Sequence, residues 1–255
     1  MKNTRRSFQK EWDIFKYSDK SWGLTLDDRK HDFLKQFDVK PEELKGKTLL
    51  DAGCGNGILT SGLGDFGLKV VGLEQVDLTR ANEYNKNKNV KFVQGSVLNP
   101  PFKAESFDFI FSSGVIHHTS DPKKAFEELL KLVKKGGKFY FWIYRRKKGV
   151  KKGQKYAMIW RIKYPLIYAI TRITCRLPMS VQHLLYSMFT AIFQVFSKKR
   201  TWTERMVWFY DSLSPRYQSM HTLEELSYWF IEQGYYIKFI DERYSKHGYG
   251  LLVKK

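Results

Sequence analysis

Leu49-Leu50-Asp51-Ala52-Gly53-Cys54-Gly55-Asn56-Gly57 decides the fold: an apolar run, an acid, then glycine at every second position. The run from Lys47 to Ala52 is too short for a helix and is closed by glycine, so it reads as a buried parallel strand. Gly53, Gly55 and Gly57 let the backbone turn tightly and approach a ligand where any Cβ would obstruct it. A dinucleotide fingerprint asks for glycine where this chain has Ile58, and it does not ask for an acid two residues ahead of the first glycine. The turn is that of a nucleotide-type site, and Asp51 fits a different ligand.

The residues beyond it repeat a strand and helix alternation. Ile58 to Phe66 reads as the first crossover helix, and Lys69 to Leu73 as the second strand, ending in Glu74 and Gln75. An acid about 20 residues past the glycine turn, at the carboxyl end of the next strand, is where a ribose diol is bound. Glu74 lies 21 positions after Gly53, and its carboxylate can accept both ribose hydroxyls. Val90 to Val97 is the third strand and its turn, with Gly95, Ser96 and Val97 at the end, and Phe107 to Phe111 is the fourth strand. The loop Ser112-Ser113-Gly114-Val115-Ile116-His117-His118-Thr119-Ser120-Asp121-Pro122 follows. Ligands of doubly wound sheets sit beyond the carboxyl ends of the strands, so this loop faces the reacting group.

Asp121-Pro122 opens a helix running to about Val133 and ended by Gly136-Gly137, after which Lys138 to Tyr144 is the fifth strand. Thr222 with Glu225 makes a capping box, so a helix starts there and stops at Gly234. Tyr235 to Ile240 and Gly248 to Val253 are the last two strands, joined tightly enough to be antiparallel.

Asp-x-Gly-x-Gly-x-Gly at the end of a first strand resembles motif I of the class I methyltransferases that use S-adenosylmethionine (SAM). On that motif alone a flavin or nicotinamide site stays open; four elements in the right order over residues 47–144 and 222–253 are far more specific. The resemblance implies an α/β, Rossmann-like doubly wound sheet of seven strands, the last antiparallel, with a helical lid insertion. It implies SAM as cofactor, held by Asp51, Ala52, Gly53, Cys54, Gly55, Gly57, Glu74, Gln75, Gly95, Ser96, Val97 and Ser113. In the family an acid often stands where this chain has Ser96, meeting the adenine amino group. Serine accepts that bond more weakly, while Val97 packs on the ring.

The loop with His117 and His118 resembles that of the subgroup that methylates small molecules and quinones, which makes these two histidines the catalytic candidates. Being adjacent, they point in different directions: one serves as base or hydrogen-bond partner and the other packs. Asn99-Pro100-Pro101-Phe102 resembles the motif of nitrogen methyltransferases, but it precedes the fourth strand instead of closing it, and turn chemistry alone accounts for its prolines. In many relatives helices ahead of the first strand fold over the active site, so Tyr17 and Trp22 are candidates to touch substrate. Tyr210, Tyr217 and His221 are further candidates, expected in a loop bordering the pocket. For each of these side chains a purely structural role is an equally good reading.

At 255 residues the chain suits one α/β domain with an insertion. The boundaries expected are 1–46 for N-terminal cap helices, 47–144 with 206–255 for the cofactor core, and 145–205 for a lid insertion. Cys54 and Cys175 suggest no disulfide, which fits a reducing cytosol; no secretion signal or membrane span is read, and no metal set stands at suitable spacing. The net charge of +19 is uneven: residues 1–144 carry 24 basic and 19 acidic side chains, 145–205 carry 15 and 1, and 206–255 carry 6 and 6. Within the basic insert Val181, Leu184, Leu185, Met188, Phe189, Ile192, Phe193 and Phe196 share one face of a helix. Its expected partner is the rest of the protein, followed by an anionic membrane at the inner surface, with nucleic acid last.

The function expected is methyl transfer from SAM to a small-molecule acceptor under the lid. The alternatives are an RNA methyltransferase using the basic insert and a SAM-binding protein without turnover. Nothing in the sequence sets an oligomeric state.

Overall fold

The computed structural model describes residues 2–15, 20–21, 24–146, 169–196, 201–241 and 248–255. Its helices are α1 (Lys2–Phe15), α2 (Leu26–Phe37), α3 (Ile58–Leu63), α4 (Thr79–Tyr84), α5 (Pro122–Lys131), α6 (Met179–Phe196), α7 (Trp202–Leu213) and α8 (Leu223–Glu232). The strands are β1 (Lys20–Ser21), β2 (Leu24–Thr25), β3 (Thr48–Ala52), β4 (Lys69–Glu74), β5 (Val90–Gln94), β6 (Phe107–Ser113), β7 (Val133–Tyr144), β8 (Ile237–Asp241) and β9 (Gly248–Lys254). The chain forms two compact units, Tyr17–Arg146 with Ser219–Lys255, and Met1–Lys16 with Lys147–Gln218. This division runs differently from the expected boundaries, because α1 and α7 pack as helices of the second unit.

The first unit is a seven-stranded sheet in the order β5-β4-β3-β6-β7-β9-β8. β3 pairs in parallel with β4 and β6, and β9 is antiparallel to both neighbours. The strand order reverses at β3, and in sheets of this class the crevice at that reversal receives the ligand. Side chains alternate faces along a strand. On β7, Phe139, Phe141 and Ile143 pack with Phe126 of α5 and Phe230 of α8, whereas Tyr140 and Trp142 join Phe33 and Phe37 of α2 on the other face. Both faces are covered, which is why the central strands read as nearly continuous apolar runs.

Three expectations are corrected. α5 stops at Lys131 rather than continuing to the glycines, because the Leu132 carbonyl oxygen accepts from the Ser106 and Phe107 amides and Val133 already pairs with Phe107. Gly136, at φ +75°, then lies inside β7 as an irregularity. The last pair of strands begins at Ile237, two residues after Tyr235. Thr222 Oγ1 does accept from the Glu225 amide at 3.2 Å, but the Glu225 carboxylate faces His221 Nδ1 at 3.0 Å, so the box is replaced by a cap and an ion-pair geometry.

The second unit is helical. Tyr210, expected in a loop, lies in α7, which opens with a capping box between Thr201 and Glu204. Tyr186 of α6 stacks on Phe209 with ring centroids 5.6 Å apart. The Arg216 amide donates to Thr4 Oγ1 at 3.1 Å, tying α1 into the unit. The Lys198-Lys199-Arg200 cluster lies outside the described residues.

At the amino end of the sheet, Asp108 Oδ2 accepts from the Thr48 amide, Thr48 Oγ1 and Lys134 Nζ at 2.9, 2.7 and 2.9 Å. Partial burial pushes its carboxyl up, but the Thr48 and Lys134 contacts outweigh that and hold it at about 2. A depressed pKa contributes stability present above the ordinary 3.8 and lost as the pH falls through about 2. Asp108→Asn is expected to cost about 1–3 kcal/mol at neutral pH. In denaturant melts the gap to the parent chain should close between pH 4 and about 2.

Candidate functional site

The β3–α3 turn is built by backbone that glycine alone adopts without strain: Gly53, Gly55 and Gly57 have φ of +90°, +57° and +75°. The Gly53 and Cys54 amides both donate to Leu73 O, at 2.8 and 3.1 Å, so the turn is fastened to the end of β4. A Cβ on Gly53 would stand 2.2 Å from the Val115 side chain, and one on Gly57 would stand 2.7 Å from Ala81 and Phe92. The turn is therefore pinned between its own strand and the loop after β6.

Two buried carboxylates flank this turn. Glu74, at the end of β4, accepts from the Gly55 amide through Oε2 at 3.0 Å and from the Gln75 amide through Oε1 at 2.7 Å. An ionised carboxylate offers about four acceptor sites, so capacity remains beside these amides for a ligand hydroxyl. Burial raises the Glu74 carboxyl, with the Gln75, Gly55 and Val76 amides pulling it back. Asp51 Oδ2 accepts from Thr60 Oγ1 at 2.6 Å. Burial lifts Asp51 to about 6, against the Thr60 hydrogen bond and the Arg29 charge and with help from Glu74. Cys54 is buried and its thiol is pushed well up by burial and the two acids, so it stays protonated and acts as a small apolar residue. Ala52 closes β3, where its carbonyl accepts from Ser112 Oγ at 3.0 Å and draws the end of β6 alongside.

Beside β4, β5 leads into Gly95, Ser96 and Val97. The Gly95 amide donates to Glu74 O at 2.9 Å, Val97 is buried in the core, and Ser96 Oγ accepts from the Leu98 amide at 3.2 Å. The Ser96 hydroxyl thus caps its own turn and keeps its proton to donate. Gln75 follows Glu74 at the rim, and Ser113 is exposed at the end of β6.

His117 and His118 occupy a short helical turn after β6, and both are buried. His117 stacks on Tyr144 with centroids 4.0 Å apart and meets Trp142 edge-on at 5.8 Å. Among the described residues neither of its ring nitrogens has a hydrogen-bond partner, and burial, then the His118 and His221 rings, hold its pKa well below the usual value, so it is neutral. His221 is locked between Glu225 Oε1 at 3.0 Å and Ser219 Oγ at 2.8 Å, and Ser219 in turn donates its amide to the His117 carbonyl at 2.9 Å. Tyr210 belongs to the helical unit, where it is buried with its hydroxyl 2.9 Å from His183 Nδ1, and Tyr217 lies in the same unit beside Arg216. Tyr17 and Trp22 lie outside the described residues.

Sequence reading missed Thr60, Val115 and Phe92, the side chains that hold Asp51, Gly53 and Gly57. A hydroxyl inside the first turn of an apolar crossover helix was the one available signal for Thr60; Val115 and Phe92 look like ordinary core residues.

A methyltransferase domain family matches residues 50–141. The ubiquinone biosynthesis O-methyltransferase of Coxiella burnetii is 29% identical over 102 residues, 38% of this chain and 44% of that protein. The sterol 24-C-methyltransferase of Schizosaccharomyces pombe is 27% identical over 136 residues, 50% of this chain and 35% of that one. The chain thus spans less than half the length of these curated relatives. Among solved structures, magnesium protoporphyrin IX methyltransferase from Synechocystis with S-adenosylhomocysteine bound superposes with a TM-score of 0.56 at 14% identity, covering 100% of this chain and 97% of that one. Sheet order, glycine turn, strand-end acid and family match agree, and residues 50–141 are the heart of a class I, S-adenosylmethionine-dependent methyltransferase domain.

Proposed function

We propose that this chain is an enzyme that transfers a methyl group from SAM to a small-molecule acceptor. The observation that carries the reading is Glu74, buried under the glycine turn with both oxygens already aligned by backbone amides and acceptor capacity left for a diol. The bound cofactor supplies an electrophilic methyl on a sulfonium. The chain's own residues bind, orient and exclude water, which is most of what an in-line displacement asks. Glu74 takes the ribose hydroxyls, Gly95 to Val97 border the adenine, and Asp51 balances the positive methionyl end. On the acceptor side His117, neutral and with both ring nitrogens unpartnered among the described residues, is the group to take a proton from a hydroxyl or amine, with Tyr144 stacked behind it and His118 beside it. The lid reading of residues 145–205 belongs to the same proposal, and the quinone and sterol chemistry of the two relatives makes hydrophobic acceptors the first to try.

The test is incubation of purified chain with methyl-labelled SAM and phenolic, quinol and sterol acceptors. Formation of S-adenosylhomocysteine with label in an extractable small molecule is expected. SAM bound without turnover would leave a binding protein, and label in added total RNA would make the chain an RNA methyltransferase.

Asp51 adds a pH dependence. Its raised carboxyl favours the ligand-free fold when protonated, a contribution present below 3.8 and lost as the pH rises through about 6. The cationic methionyl group needs the ionised form. SAM affinity is therefore expected to fall by up to about tenfold per pH unit below the Asp51 pKa. Calorimetry on Asp51→Asn should show weaker binding with that step gone.

A further inference from the structure

Helix α6 is inside out for a helix in water. Across its 18 residues it has no Asp, Glu, Lys or Arg, and the side chains it buries are Gln182, Tyr186 and Thr190. Most of the residues it exposes are apolar, Ser180 and His183 apart: Leu184 is 62% exposed, Met188 55%, Ile192 51%, Val195 80% and Phe196 82%. Leu184, Met188, Ile192 and Phe196 recur every fourth residue and form one stripe, the reverse of the arrangement a solvent-facing helix adopts.

The inversion is built. Gln182 Nε2 donates to Leu177 O at 2.9 Å, Tyr186 Oη and Ser214 Oγ are 3.1 Å apart, and Thr190 Oγ1 sits 3.3 Å from Met206 Sδ. The inward polar groups are thus satisfied within the helical unit, and nothing there requires α6 to turn over. A contiguous apolar stripe of this size marks an interaction surface.

Charge selects the occupant. Residues 145–205 carry 15 basic side chains and 1 acidic one, with Lys198-Lys199-Arg200 directly following α6 in sequence. Arg176 is exposed, and Ile173, nearby in sequence, is 65% exposed. A second copy would bring two strongly basic segments together. Nucleic acid would use the basic groups and leave the apolar stripe in water. No described helix is long and apolar enough to cross a membrane, so α6 fits one that lies in the plane. We propose that α6 seats on an anionic lipid surface, its stripe among the upper acyl chains, with the net positive charge of the surrounding sequence selecting anionic headgroups. The proposal is independent of the catalytic reading.

The test is sedimentation of the full chain with vesicles of phosphatidylcholine alone or with about 30% phosphatidylglycerol, at about 0.1 and 0.5 M salt. Binding at least about tenfold tighter to the anionic vesicles, and weaker at high salt, is expected. Leu184→Gln, Ile192→Gln and Phe196→Gln together should lower that binding at least about tenfold, with thermal midpoint and S-adenosylhomocysteine affinity unchanged. In a separate variant, Ile192→Trp should show blue-shifted emission on anionic vesicles. Equal or absent retention on both vesicles overturns the proposal. So does a dimer that the triple variant converts to monomer, or RNA retention that the triple variant abolishes.

Discussion

Glu74→Gln is expected to weaken binding of S-adenosylhomocysteine about 100-fold. Both Glu74 oxygens accept a backbone amide, from Gly55 at 3.0 Å and from Gln75 at 2.7 Å. Glutamine offers one oxygen and one NH2, so one buried amide N–H would face a donor, at a cost of about 1–3 kcal/mol. The ribose hydroxyls also exchange a charged acceptor for a neutral one, and hydrogen bonds to charged groups are worth about 1.5–3 kcal/mol each. S-adenosylhomocysteine is the right probe because it lacks the sulfonium, which separates the ribose contribution from the field of Asp51. Calorimetry on parent and variant decides it, and an unchanged dissociation constant would remove Glu74 from the site.

Gly53→Ala is expected to lower turnover at least about 100-fold and to lower the thermal midpoint as well. Two costs combine. Alanine at φ +90° is strained, by about 1–3 kcal/mol. Its Cβ would also lie 2.2, 2.6 and 2.9 Å from three carbons of Val115, in the loop that leads to His117 and His118. Val115 must move, and the acceptor side moves with it. Gly136→Ala is the control: φ is +75° but no atom lies within 4 Å of the added methyl, so only the backbone strain remains and cofactor affinity should be unchanged. Adding Val115→Ala to Gly53→Ala should recover part of the loss, since residues in contact are non-additive. If the two glycine variants behave alike, the packing of Val115 on the turn is not what makes Gly53 necessary.

The proposed donor half of the site is made of local parts. A left-handed turn is a property of the glycine at that position, and a carboxylate at a strand end follows from where the apolar run stops. The strands followed from runs of Val, Ile, Leu and Phe, and their neighbours from the right-handed crossover rule. Element ends were less legible. The helix over 122–131 was read too long because glycine is a common stop, yet the stop is made earlier by Leu132 pairing with the start of β6. The Thr201 and Glu204 pair carries the same capping signal as Thr222 and Glu225 and opens α7, which makes Tyr210 helical.

The acceptor half was not legible, for a different reason. The residue type of His117 says nothing of Tyr144 stacked 4.0 Å away or of the burial that keeps it neutral, because Tyr144 reaches it across the sheet from another strand. The apolar periodicity of α6 was plain in the sequence, but its direction was not: Gln182, Tyr186 and Thr190 face inward because Ser214, Met206 and Leu177 satisfy them there. The sequence by itself determined the sheet, the glycine turn and the acids that flank it, since spacing and backbone preference act over a few adjacent residues. Only the tertiary structure decided which side chains are buried, neutral or turned outward, since those are set by partners distant in the chain, and packing rather than periodicity chooses among them.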